Sequence, residues 1–289
     1  MNNDKLGCYL CPKECGADRK VNAGYCGATD NVKIAKYYLH KYEEPIICGA
    51  NGSGTIFFTG CALKCVFCQN YPLSRCLLGK TISVNELADV FKRLEDMGAE
   101  NINLVSPTQY ADKIISALKI YRPNIPVIYN THGYEKIETL KQIDDYINVY
   151  LPDIKYHSSA LSYRYSKVSD YFEVASKAIE FMAKKPIEFG SDGLMKSGTL
   201  VRHLVLPLCV YDSKKILDWF KNIKDNAYIN IMSQYTPFGD AAKYAELNRK
   251  ITKREYDAVI DYAVSLGIDK AFYQSFSSQS TDYIPKWDY

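Results

Sequence analysis

From about residue 54 onward, short β-branched apolar runs alternate with amphipathic helical patterns, and this alternation limits the chain to a few α/β architectures. The runs are Gly54–Gly60, Asn101–Ser106, Pro126–Asn130, Asn148–Leu151, Leu200–Leu206, Tyr228–Gln234 and Ala271–Gln274. They are continuously apolar, as parallel strands buried on both faces must be. The helices between them have readable ends. Ser83 with Glu86 makes a capping box, after which Leu87, Val90, Phe91, Leu94 and Met97 mark one apolar face until Gly98 stops it. Thr252 with Glu255 repeats the device ahead of Gly267. Helical patterns also fit Gln109–Ile120, Glu135–Asp144, Ser169–Ala183 and Ser213–Lys221. Strand–helix units joined by right-handed crossovers must curl, because a flat sheet would leave helix faces unburied. The predicted fold is therefore α/β, a partial (β/α)6-type TIM barrel over residues 49–289. A small Cys-rich metal-binding segment and connector, residues 1–48, precedes it, with Ala35–Tyr42 extended. Chemistry is expected on the loops after the strand C-terminal ends. Lys184–Gly198, with three glycines, reads as a mobile insertion.

Charge excludes some functions. Lys plus Arg number 36 against 33 Asp plus Glu, so the net charge of +3 creates no strong field for nucleic acid or an anionic membrane. No apolar run approaches bilayer length and MNNDKLGCYLCPKEC has no apolar signal region, which predicts a soluble cytoplasmic protein. In that compartment the ten cysteines point to metal or redox chemistry instead of disulfides. Seven of them fall into two groups, Cys8, Cys11, Cys15 and Cys26, then Cys61, Cys65 and Cys68, while Cys48, Cys76 and Cys209 stand alone.

The second group directly follows the first apolar run and so occupies the first strand-to-helix loop. Three thiolates suit zinc or an iron–sulfur cluster, but structural zinc wants four protein ligands and no fourth is adjacent. A zinc knuckle completed by a distant Cys or His is one reading. A [4Fe–4S] cluster with one open iron is the other, and such an iron can bind a small molecule.

The C-x3-C-x2-C spacing with Phe67 before its last Cys resembles the signature of the radical S-adenosylmethionine (SAM) superfamily. Glu43-Glu-Pro-Ile-Ile-Cys-Gly49, Cys68-Gln-Asn70, Asn103-Leu-Val-Ser-Pro-Thr108, Leu151-Pro-Asp-Ile-Lys155, Arg202-His-Leu-Val-Leu-Pro207 and Met232-Ser-Gln-Tyr-Thr-Pro237 resemble its pyruvate formate-lyase activating enzyme-like branch. The resemblance implies a reduced [4Fe–4S] cluster that cleaves SAM to methionine and a 5′-deoxyadenosyl radical, which then abstracts hydrogen. It also implies anaerobic handling, a low-potential electron donor such as flavodoxin or ferredoxin, and a substrate that is either the glycine of a glycyl-radical enzyme or a free small molecule such as an amino acid. Phe67 would pack near the adenine. By resemblance to an Asp-x-Lys motif, Lys155 would pair with the methionyl carboxylate and Asp153 would position the ligand. The branch's Gly-Gly-Glu-like motif is replaced by Val105-Ser-Pro-Thr108, where Ser106 and Thr108 could supply cofactor contacts. Asn130, Arg202 and Gln234 complete the cofactor-binding candidates.

Ordinary roles compete for these residues. Asp153 and Lys155 could be a solvated ion pair, His203, Gln234 and Tyr235 could be satisfied core groups, and His132 has weak standing. The spacing of Cys8, Cys11, Cys15 and Cys26 looks like a closed four-thiolate site, for which zinc and a second [4Fe–4S] cluster are both acceptable. Zinc is the plain choice of the two, and burial of a few of these thiols as small hydrophobes is the competing reading. A non-catalytic iron–sulfur protein for electron transfer or redox sensing is the rival function.

Overall fold

The computed structural model describes residues 7–279 and Trp287. Among the described residues ten strands form: β1 Val32–His40, β2 Ser53–Phe58, β3 Lys80–Ile82, β4 Ile102–Val105, β5 Val127–Thr131, β6 Val149–Pro152, β7 Glu188–Phe189, β8 Met195–Leu204, β9 Tyr228–Met232 and β10 Ala271–Tyr273. Their order is β10-β9-β8-β6-β5-β4-β2-β1-β3, with β7 on β8. The pairings from β2 to β10 along this path are all parallel. Each parallel strand matches an apolar run of the sequence. The sheet curls without closing, so a partial barrel is what the chain forms.

Among the described residues nine α-helices accompany the strands: α1 Pro45–Cys48, α2 Tyr71–Ser74, α3 Val84–Asp96, α4 Ala111–Ile120, α5 Ile137–Ile143, α6 Ser159–Ser166, α7 Tyr171–Met182, α8 Val210–Phe220 and α9 Lys253–Ser265. Both expected capping boxes form, at Ser83–Glu86 and Thr252–Glu255. None of the described helices is long and apolar enough to cross a membrane. Strand side chains divide between two environments. Ile102 and Leu104 pack with Leu87, Phe91 and Leu94 on the helix side, and so do Ile229 and Ile231 with Ile216 and Val259. The alternate positions face the barrel interior. There Ile47 of α1 packs among Ile128, Val149, Leu151 and Leu200, so the β1–β2 connection plugs the barrel.

Two expectations are corrected. The connector at Ala35–Tyr42 is largely β1, paired antiparallel to β2 through six residues from Ile34 to His40, so the sheet starts before residue 49. Lys184–Gly198 is a hairpin between β7 and the start of β8, turned by Gly190 N–H to Leu194 O at 2.9 Å and Gly193 N–H to Gly190 O at 3.0 Å. Its glycines serve the turn. α6 escaped the sequence reading because its apolar residues do not keep to one face, although Ser158 caps it.

Candidate active site

A cavity of about 600 Å³ opens where the parallel strands end, lined among others by Cys61, Cys65, Phe67, Cys68, Ser106, Asn130, His132, Asp153, Lys155, Arg202 and Gln234. The loop carrying the cysteines is braced on three sides. Lys64 and Val66 N–H donate to Ser166 O and Tyr165 O of α6 (3.2 and 2.9 Å), Asp240 N–H donates to Val66 O (2.7 Å), and Cys61 N–H donates to Cys26 O (3.1 Å). Gly60 adopts φ +92°, and a Cβ there would lie 2.8 Å from that same Cys26 carbonyl, which fixes glycine at the close approach. Cys65 Sγ lies 3.0 Å from Ser166 Oγ, and Ser74 Oγ donates to Cys68 Sγ at 3.3 Å. Burial pushes all three thiols up, Cys68 to about 11.

The donor set fits a cluster better than a single ion. Among the described residues no three His, Cys, Asp or Glu side chains close on one metal-ion point. Cys61, Cys65 and Cys68 line a common open volume, and three soft thiolates on one loop are a donor set that suits an iron–sulfur cluster with one iron left open. Loading would require the buried thiols to release protons.

Across the cavity, Asp153, Arg202 and Asn230 occupy one row on β6, β8 and β9: Asp153 bridges Arg202, which is in register with Asn230. Asp153 accepts from Lys155 Nζ at 2.6 Å and from Arg202 Nε at 2.9 Å, while Arg202 Nη2 donates to Asn130 Oδ1 at 2.7 Å. Burial disfavours charge on Asp153, but Arg202 and Lys155 more than offset it and hold the carboxyl below its usual range. The Asp153–Lys155 pair is mostly buried, with side-chain exposures of 20% and 19%, so the solvated-pair reading does not apply. His132 Nδ1 accepts from Tyr134 N–H at 3.1 Å, which puts the proton of a neutral ring on Nε2, and Nε2 has no partner. Burial, seconded by Lys155, lowers this histidine to about 3.

Several expected site residues lie elsewhere. Thr108 is buried away from the cavity and donates to Glu135 Oε1 at 2.5 Å, which corrects its expected cofactor contact. The reason is local: Ser106 sits at φ +56° and Thr108–Tyr110 turns as a 3₁₀ helix, carrying the Thr108 hydroxyl toward β5. His203 lies 2.8 Å from Ile154 O and 2.9 Å from Ser213 Oγ, a satisfied core histidine. Tyr235 donates to Leu247 O at 2.8 Å and is also core. Phe67 lines the cavity and packs edge-on against Tyr156 and Tyr235. Gln234 lines it while tied to the Gln274 side-chain amide at 2.9 Å.

The sequence reading missed three positioning features. Tyr171 Oη lies 2.8 Å from His132 O and 3.0 Å from Asp153 O and accepts from Lys155 N–H at 3.1 Å, stitching the ends of β5 and β6 together. Gly133, at φ +78°, lets the Asp153 carbonyl approach so closely that a Cβ would sit 2.2 Å from it. Glu43 and Glu44 reach the cavity from the β1–β2 connection; their block was noted for its resemblance alone.

Cys8, Cys11, Cys15 and Cys26 belong to one folded N-terminal segment, where burial raises the Cys11 and Cys26 thiols and the neighbouring thiols add to it. Arg19 holds the segment, donating to Thr29 O at 3.0 Å and Gln109 O at 2.5 Å, and Thr139 Oγ1 donates to Leu10 O at 2.7 Å.

A family model described as the Radical SAM superfamily matches residues 55–196. The uncharacterized protein MJ0674 of Methanocaldococcus jannaschii is 30% identical over 275 residues, covering 91% of this chain and 75% of that protein. SuiB of Streptococcus suis, solved with its precursor peptide SuiA, is similar at a TM-score of 0.51 and 14% identity, over 75% of this chain and 48% of SuiB. SuiB bound to S-adenosylmethionine gives a TM-score of 0.50 and 14% identity, over 74% and 47%. The chain thus spans about half the length of SuiB, and that likeness concerns the fold.

Proposed function

Because the chain belongs to the radical SAM superfamily, we propose that it is an enzyme that cleaves S-adenosylmethionine reductively and removes a hydrogen atom from a small molecule held in the same cavity. The observation that carries this reading is the convergence of Cys61, Cys65 and Cys68 with Asp153, Lys155 and His132 on one cavity of about 600 Å³. That volume falls within the roughly 300–1,000 Å³ of small-molecule sites.

Membership of the family implies a [4Fe–4S] cluster and S-adenosylmethionine as cofactors. When bound, the cluster supplies the electron that splits the sulfonium into methionine and a 5′-deoxyadenosyl radical. Cys61, Cys65 and Cys68 would hold it. Lys155 would take the methionyl carboxylate, its own ammonium held in place by Asp153, which Arg202 in turn orients. Asn130 is committed to Arg202 and acts through it. Phe67, Ser106 and Gln234 line the walls beside the ligand. The neutral His132 offers a hydrogen-bond donor from Nε2. The N-terminal cysteines would hold a second centre, zinc or another cluster, and a flavodoxin or ferredoxin would supply electrons.

The test is anaerobic incubation of cluster-reconstituted protein with dithionite and S-adenosylmethionine. 5′-Deoxyadenosine and methionine are the expected products, and their absence from well-loaded protein overturns the radical reading. A deuterated small-metabolite pool should then pass label into 5′-deoxyadenosine without a partner protein. Label arriving only from the glycine of a partner polypeptide would assign the enzyme instead to glycyl-radical activation.

A further inference from the structure

Beyond the cofactor end, the cavity has a second polar region formed by Glu43, Glu44, Arg202 and Asn230. Asn230 projects into the barrel, since its neighbours Ile229 and Ile231 belong to the helix-side core. Its Nδ2 donates to Glu44 Oε2, which fixes the amide so that Oδ1 faces away from Glu44. Oδ1 is buried, in a residue 5% exposed, and has no partner. Glu43 lies 3.8 Å from Arg202 Nη1, its side chain 9% exposed. Arg202 is already engaged by Asp153 and Asn130.

The charges do not cancel. Lys155 and Arg202 face three carboxyls, those of Asp153, Glu43 and Glu44. Burial leads the effects on Glu44 and raises it to about 7, although Arg202 pulls the other way. The unpartnered group here is an acceptor, the amide oxygen of Asn230, and it lies beside the Glu44 carboxyl that Asn230 Nδ2 binds. Buried acceptors without donors are costly, and a ligand that brings donors and positive charge removes the cost.

We propose that Glu44 and Asn230, with Glu43 behind them, form the substrate-recognition end of the cavity and take a primary ammonium group of a small molecule. This rests on the radical SAM reading above and names the substrate class for it. The ammonium donates to Glu44 and to Asn230 Oδ1, and its charge balances the third carboxyl. Hydrogen is then abstracted from carbon lying between this anchor and the cofactor end.

Isothermal titration of cluster-loaded, S-adenosylmethionine-bound protein at pH 8 tests the site with putrescine and cadaverine against the uncharged analogues 1,4-butanediol and 1,5-pentanediol. The amines should bind at least about tenfold more tightly, the scale of one charge-assisted contact. Glu44→Gln should erase that preference, and Asn230→Leu should weaken amine binding by a similar factor in protein whose circular dichroism is unchanged. If either variant misfolds, Glu43→Gln, which removes charge without touching the Asn230 bond, should still lower amine affinity severalfold. Equal binding of amines and neutral analogues overturns the proposal, as does an unchanged preference in Glu44→Gln. Loss of S-adenosylmethionine affinity in that variant, with the amine preference intact, would assign the carboxyls to the cofactor's own ammonium and overturn it too. Binding is read at equilibrium, so failure of the radical reading shows separately, as missing 5′-deoxyadenosine from unaltered protein.

Discussion

Replacing Lys155 by Met separates a ligand contact from a scaffold contact, because the two partners of Asp153 can be removed one at a time. Lys155 Nζ is 2.6 Å from Asp153 Oδ2 and Arg202 Nε is 2.9 Å from Oδ1. In Lys155→Met the carboxylate keeps Arg202, and the aliphatic stem is replaced by one of similar bulk. The fold should therefore lose little. The cofactor should lose a charge-assisted contact worth about 1.5–3 kcal/mol, which is roughly a 10- to 150-fold rise in Kd for S-adenosylmethionine. Arg202→Met is the structural counterpart: it leaves Asp153 Oδ1 and Asn130 Oδ1 without their donor, and breaking a buried pair from one side costs about 3–5 kcal/mol. Calorimetry of cluster-loaded protein gives the first number, and chemical denaturation of both variants gives the second. Binding within about threefold of the unaltered protein would refute the role of Lys155. So would a stability loss in Lys155→Met as large as that in Arg202→Met.

Replacing Cys61, Cys65 and Cys68 together by Ala should abolish 5′-deoxyadenosine formation while circular dichroism stays native; continued product formation would remove the cluster assignment. Gly133→Ala should destabilise the protein by about 2 kcal/mol or more in urea and weaken S-adenosylmethionine binding with it, since the added Cβ meets the Asp153 carbonyl at 2.2 Å and φ is +78°. Glu135 is raised from 4.5 to about 7 by burial, against the pull of Thr108, Thr131 and Tyr129. Its protonated form is thus favoured by folding, and stability should fall by about 3 kcal/mol as pH rises from 4.5 to 7. Glu135→Gln should lack that fall, and parallel denaturation curves for the two proteins across this range would count against it.

The parallel strands were legible because each is a continuous apolar run, and the capped helices because their end signals are local. β1 was not: with solvent-facing and half-buried positions in the sequence Val-Lys-Ile-Ala-Lys-Tyr-Tyr-Leu-His, it lacks that apolar continuity, and pairing with β2 and β3 makes it a strand. The cysteine loop, Asp153 and Lys155 could be found from spacing, since neighbours in sequence reach the same cavity. The Glu44–Asn230 contact spans 186 residues and gives no local signal. Tyr171 was hidden for a related reason, as its hydroxyl acts on backbone atoms contributed by other elements. Thr108 was misplaced because a single left-handed residue upstream redirects its side chain.

The hydrogen bond from Cys61 N–H to the Cys26 carbonyl makes the two cysteine groups thermodynamically linked. Opening of the N-terminal segment withdraws one of the braces of Cys61, so whatever stabilises that segment raises the free energy needed to loosen the loop. The dependence is reciprocal: occupancy of the loop must strengthen the segment by the same amount. In hydrogen exchange the Cys61 amide should consequently follow the amides of Gly24 and Gly27, which are bonded within the segment, and not those of β2, only three residues upstream. A stretch of chain absent from the cavity lining thereby governs how long Cys61, the first cysteine of that lining, stays in place.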